Sequence, residues 1–211
     1  MPGRVRRLVA FAGLLVIGAL ASRCGSAPAT SSAGVAQLDL KPIVSIKELM
    51  ENIIDPISDN IFDAVGTDIS AKGIVETRPT TDDDWAKVRI GAITLAEGAN
   101  LLKMPRAVAP PGDTNRSSGP KAPELSPEQV GAKIDQDRAL WNKHVDELRD
   151  VALEALATAK TRNADALFEV GGKLDKACEH CHLAYWYPGD KQAVLEDEQK
   201  RATMPKTPKK K

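Results

Sequence analysis

Near the end of the 211-residue chain stands ACEHCHLAYW, residues 177–186, in which Cys178, Cys181 and His182 form a Cys-x-x-Cys-His array. Thiols and an imidazole at this spacing can do one of three things. They can ligate zinc, act as a redox dithiol, or fasten a haem covalently and ligate its iron. A structural zinc site takes four nitrogen or sulfur ligands, commonly as two separated pairs. This sequence has no second Cys-x-x-Cys, and His144 is its only distant histidine. A redox dithiol gains reactivity at a helix N-terminus, where the dipole lowers the thiol pKa, and normally follows a strand in a βαβ unit. Cys178 falls deep within a helical pattern, towards its C-terminal end, where the dipole opposes a thiolate.

Haem attachment uses every residue of the array. Two thiols add across the two vinyl groups on one porphyrin edge and become thioethers. Two intervening residues make about one helical turn, which brings both sulfurs to that edge. His182, next along, projects under the ring and can take an axial iron position. The expected cofactor is one covalent haem c, bound through Cys178 and Cys181 with His182 as metal ligand. His180, between the cysteines, points away on helix geometry.

In bacteria this attachment is made outside the cytoplasm, and the N-terminus reads as an export signal. Arg4, Arg6 and Arg7 precede an uncharged apolar run from Leu8 to Ala21, the pattern of a secretory leader. The run is shorter than the roughly 20 residues of a membrane span. Ala19-Leu20-Ala21 and Ala27-Pro28-Ala29 both fit a cleavage site, so the leader is 1–21 and could extend to 29. The expected location is the periplasm. Membrane attachment is expected only if the leader is retained or Cys24 is lipidated, and Arg23 stands where a lipobox wants a small residue. Lys plus Arg and Asp plus Glu are 29 each; losing three arginines with the leader leaves 26 against 29. Such a balance gives no reason to expect nucleic acid as a partner.

The elements that must position the array are helical. Residues 22–44 read as a flexible N-terminal segment, within which Gly25 to Gly34 is a small-residue spacer. Ser45 and Glu48 then make a capping box, followed by an apolar stripe through Leu49, Met50, Ile53, Ile54, Ile57, Ile61, Phe62 and Val65. Pro56 is expected to kink or break this helix, and Gly66 to end it. Thr81 with Asp84 caps a second stripe, Trp85, Val88, Ala92, Leu95, Ala99 and Leu102, which Pro105 closes. Prolines and glycines over 105–125 make a long loop. Ser126-Pro127-Glu128-Gln129 starts a third helix that runs unbroken past Ala155. Asn163 starts a fourth, with Leu167, Val170, Leu174, Ala177 and Cys181 inward and Pro188-Gly189 at its end. No stretch alternates with period two, so no sheet is expected. The fold class read here is all-α, an antiparallel four-helix bundle with covalently bound haem over 45–187 and a Lys-rich tail over 188–211.

A haem motif in the last of four helices, with Tyr185 three residues after His182, resembles the class II c-type cytochromes: the cytochrome c′ family and its methionine-ligated low-spin relatives. The resemblance covers Ser45 to Tyr187 and is specific at Cys178, Cys181, His182 and Tyr185. Members often carry a basic residue after that aromatic position; Trp186 stands here, so no propionate contact is implied from that side. The central loop and the tail exceed the family's norm. The resemblance implies that the first helix supplies the residue opposite the histidine. Methionine there gives an electron-transfer centre, and a non-coordinating side chain gives an open site. Met50 is the only methionine of the first helix and is the expected sixth ligand. His144 is a further candidate on a polar face, Met104 a packing residue, and Lys47 a solvated lysine within reach of a propionate. The function expected is one-electron transfer with redox partner proteins; the alternative is a five-coordinate haem protein binding nitric oxide or carbon monoxide. Neither a general base nor a nucleophile emerges, so no enzyme is expected. The resemblance also implies a possible homodimer. Gly171 and Gly172 are expected to let the ring or a neighbouring helix come close.

Overall fold

The computed structural model describes residues 40–114 and 124–192, together with 195, 196 and 199. The leader, Cys24, most of the spacer and the closing lysines lie outside the described residues. Among the described residues no helix is long and apolar enough to cross a membrane.

The chain is mostly helical. Its first helix is built from three segments that run on without a break: α1 (Ile46–Leu49), a π-helical turn (Met50–Ile54) and α2 (Asp55–Phe62). Ser45 opens it as expected. Its Oγ accepts the Glu48 N–H at 3.2 Å, and the Glu48 carboxylate accepts the Ser45 N–H at 2.9 Å. The next two N–H groups, unpaired in any helix start, donate to the carbonyls of Ala107 and Val108 at 2.9 Å each. Pro56 does not break the helix. Proline has no N–H, and its ring presses on the carbonyl four residues back. The preceding turn widens instead, with the Asp55 N–H donating to the Met50 carbonyl five residues earlier. The widening carries Leu49 and Ile54, five apart, onto one buried face.

The expectation of no sheet was wrong. Strands β1 (Gly66–Ser70) and β2 (Gly73–Thr77) form an antiparallel hairpin around Ala71-Lys72, and Gly73 sits at φ 123°. Both faces are exposed apart from Gly66. Without a buried face the sequence carries no alternation, and only its β-branched residues mark it.

α3 (Asp82–Leu102) begins at Thr81 with the expected reciprocal cap and buries the expected stripe. The third helix is two. α4 (Pro127–Gln136) ends at Asp137, whose backbone leaves the helical region at φ −141°, ψ 77°. The Asp137 carboxylate then caps α5 (Arg138–Thr161) by accepting the Leu140 N–H at 2.9 Å. α6 (Ala164–Tyr185) starts at Asn163, which accepts the Ala166 N–H at 3.0 Å.

α3 and α5 make the most extensive helix pair, and each buries small residues: Ala92, Ala96 and Ala99 on one, Ala152, Ala155 and Ala159 on the other. α5 also packs along α6, and α3 along α2. Fully buried Leu95, Ile61, Leu167 and Leu174 anchor these layers, each contributing about 1.5–3 kcal/mol by leaving water. The close helix approach lies elsewhere than expected. A Cβ at Gly172 would meet nothing within 4 Å and one at Gly171 only Val65 at 4.0 Å. At Gly91 it would stand 2.7 Å from Asn60 Cβ, and at Gly98 2.9 Å from Ile54 Cδ1. α3, not α6, is the helix thinned for a neighbour. α6 and α2 meet sparsely, and the space between the first helix and α6 is where the site lies.

Candidate functional site

A cavity of about 480 Å³ opens between the first helix, α5 and α6, within the roughly 300–1,000 Å³ of small-molecule and cofactor sites. The first helix contributes Ile46, Met50, Ile54 and Phe62; α5 contributes Trp141, His144 and Leu148; α6 contributes Cys178, Cys181 and His182. Val108 from the proline-rich loop, Val130 of α4, Tyr185 and Trp186 add to this mostly apolar wall, and Lys47, Glu51, Asp55, Glu124, Asp175 and Glu179 give it a charged part. All four sequence-predicted site residues, Cys178, Cys181, His182 and Met50, therefore line one space. His180 faces solvent, as its place on the helix requires.

Both thiols are half-buried and unpaired with each other. Burial, joined by the nearby charges of Asp175, Asp55 and Glu179, pushes the Cys178 thiol up to about 12. Burial likewise pushes Cys181 up to about 12, helped by Cys178 and Glu147. Protonated thiols are poor nucleophiles and poor zinc ligands. Burial lowers the His182 pKa against the pull of Glu179 and Asp55, which keeps the imidazole neutral with a lone pair to offer a metal. Among the described residues no group of three or more His, Cys, Asp or Glu side chains could hold a metal ion.

His144 is not on a polar face. Its side chain is 13 % exposed, and its ring meets Tyr185 edge-on at 6.0 Å. His144 Nδ1 lies 3.4 Å from Glu147 Oε2 but outside hydrogen-bonding geometry. Tyr185 is buried, packed edge-on against Trp141 at 5.0 Å, and its hydroxyl has no hydrogen-bond partner among the described residues. Lys47 is half-buried and paired: its Nζ donates to both carboxylate oxygens of Asp113, at 2.9 and 2.8 Å. Met104 lies outside the cavity wall.

Sequence reasoning missed two partners. Asp113, at the edge of the loop, carries no local pattern that points to Lys47. Tyr187 donates its hydroxyl to Glu179 Oε2 at 2.8 Å, a contact that depends on how the chain turns after α6. The three consecutive aromatics divide as their geometry demands: Tyr185 enters the core, Trp186 meets His182, and Tyr187 meets Glu179. No protein-family model, curated protein or solved structure matches the chain.

Proposed function

We propose that the chain is an exported c-type cytochrome of the class II kind, an electron carrier working with redox partner proteins in the periplasm. In this reading the first helix, α3, α5 and α6 are the four helices of a bundle that holds one covalent haem. Cys178 and Cys181 would hold the haem as thioethers, and His182 and Met50 would be the ligands offered to its iron. When bound, the haem supplies a one-electron iron couple, which methionine–histidine ligation sets at raised potential.

One observation carries the reading: a single apolar cavity is lined by Met50 from the first helix and by the whole Cys-x-x-Cys-His array from α6. The donor set supports the fit. One imidazole and one thioether cannot make a protein-only metal site, but they are what an iron with four ring nitrogens of its own requires. His144 Nδ1 and Tyr185 OH, on the wall, are also buried polar atoms without a hydrogen-bond partner among the described residues; such atoms normally find one. Trp141, Leu148 and Phe62 give the cavity apolar wall surface, and burial favours the neutral form of His182, the form with a lone pair to offer a metal.

The test is the absorption spectrum of the chain matured in a host that attaches haem. The reading requires a low-spin spectrum with a weak far-red sulfur–iron band in the oxidised form, and the band should vanish in Met50→Ala. A wild-type spectrum that is high-spin and shifts with carbon monoxide would favour the open, gas-binding alternative.

A further inference from the structure

α6 ends by folding the chain back on its own motif. The His182 carbonyl accepts both the Trp186 N–H at 2.7 Å and the Tyr187 N–H at 3.0 Å. With both hydrogen bonds converging on one carbonyl oxygen the backbone turns, and Pro188 opens a 3-10 turn that leads it away. The turn brings two rings against the imidazole. Trp186 stands edge-on to His182 with centroids 5.1 Å apart at 88°, and Tyr187 lies 5.9 Å from it at 56°. The two aromatic rings also touch each other, 5.1 Å apart. From the far side the Leu125 N–H donates to the Trp186 carbonyl at 2.9 Å, so the turn is tied to the start of α4.

One of these rings is pinned. Tyr187 OH donates to Glu179 Oε2 at 2.8 Å, and Glu179 is the residue between the cysteines that follows Cys178 directly. The bond therefore links the turn that carries the cysteines to the ring that packs on the histidine between them and the helix end.

We propose that Tyr187, tethered by Glu179, is a positioning residue that fixes the rotation of the His182 imidazole, with Trp186 packed beside it against the same side of the ring. The second torsion of a histidine is broad and sets no orientation by itself. Metal-ligating histidines are normally oriented by a partner on the other ring nitrogen; here two rings and one tether take that part. The inference rests on the haem reading above. It adds that position 179, inside the motif, and position 187, beyond the helix, act together on the axial ligand.

The experiment uses the full-length, haem-loaded protein and three variants. Tyr187→Phe keeps the ring and loses the tether. Glu179→Ala loses the tether from its other end, while Glu179→Gln keeps an acceptor oxygen without the charge. The readouts are the electron paramagnetic resonance signals of the oxidised protein, the reduction potential and the melting temperature. Y187F is expected to shift the low-spin g values or split them into two species and to move the potential. E179A should shift the g values likewise, and E179Q should stay close to wild type in them. Should Y187F fold poorly, the E179A and E179Q pair makes the same comparison. Y187F or E179A with wild-type g values and potential, whatever its melting temperature, overturns the proposal alone. A wild-type chain that matures without covalent haem overturns it together with the reading it rests on.

Discussion

Gly91→Ala adds one carbon where α3 and α2 lie closest. The new Cβ would stand 2.7 Å from Asn60 Cβ and 3.1 Å from the Ile57 carbonyl oxygen. Neither is the far end of a flexible side chain, so α2 itself has to move. Overpacking of this kind costs about 1–3 kcal/mol, and alanine in place of glycine within a helix returns about 1 kcal/mol. The expected net loss is about 1 kcal/mol, a fall in melting temperature of about 2–4 °C for a chain of this size. Gly172→Ala is the matched control. It also replaces a helical glycine, but nothing lies within 4 Å of its Cβ, so the propensity gain of about 0.5–1 kcal/mol stands alone. Urea titrations followed by far-ultraviolet circular dichroism read both. The reasoning fails if G91A is as stable as wild type, or if G172A loses as much as G91A.

Two further outcomes follow from the electrostatics. Hydrogen bonds from the Thr80 and Thr81 N–H groups hold the Asp84 carboxyl at about 2, below its ordinary 3.8; a depressed carboxylate stabilises the fold above the unfolded value and ceases to as pH falls through the folded one. Stability should therefore drop between pH 3.8 and about 2, and Asp84→Asn should flatten the acid titration in that window. In the chain prepared without haem, Cys178 and Cys181 with pKa values near 12 against an ordinary 9.0 should react with iodoacetamide far more slowly at pH 8 than in urea; equal rates would mean the thiols are not shielded as described. Raised thiols stabilise below pH 9.0, so the same unloaded chain should lose stability as pH climbs from there towards 12.

What the sequence disclosed was local. Ser45, Thr81, Ser126 and Asn163 announce their helices because a cap is made within three residues of chain. The cavity-facing positions of Cys178, Cys181 and His182 follow from the period of one helix. Most of the misreadings needed information from another element. Asp137 divides α4 from α5 by a cap of its own, a signal the unbroken apolar stripe through Ile134 and Trp141 hid. The hairpin at 66–77 lacks a buried face and so lacks a period. Gly91 and Gly98 matter for what stands opposite them on the first helix, whereas Gly171 and Gly172 have nothing opposite that presses. His144 looked polar from Lys143 and Asp146, yet its ring turns towards Tyr185 and the cavity. Lys47 finds Asp113 across a separation of 66 residues, beyond any local pattern. Met50 could be placed on an apolar stripe, but its place in the cavity wall depends on the widened turn before Pro56.

The proposed function requires that Cys178 and Cys181 be bonded covalently to a haem. Intact-mass measurement of the chain matured in the periplasm of a haem-attaching host, followed by peptide mapping, tests it. The prediction is one added haem mass, retained through denaturation and located on the peptide that carries residues 178–182, and its loss from Cys178→Ala/Cys181→Ala. A matured wild-type chain of unmodified mass, or a double variant that still carries the bound haem through denaturation, would contradict it.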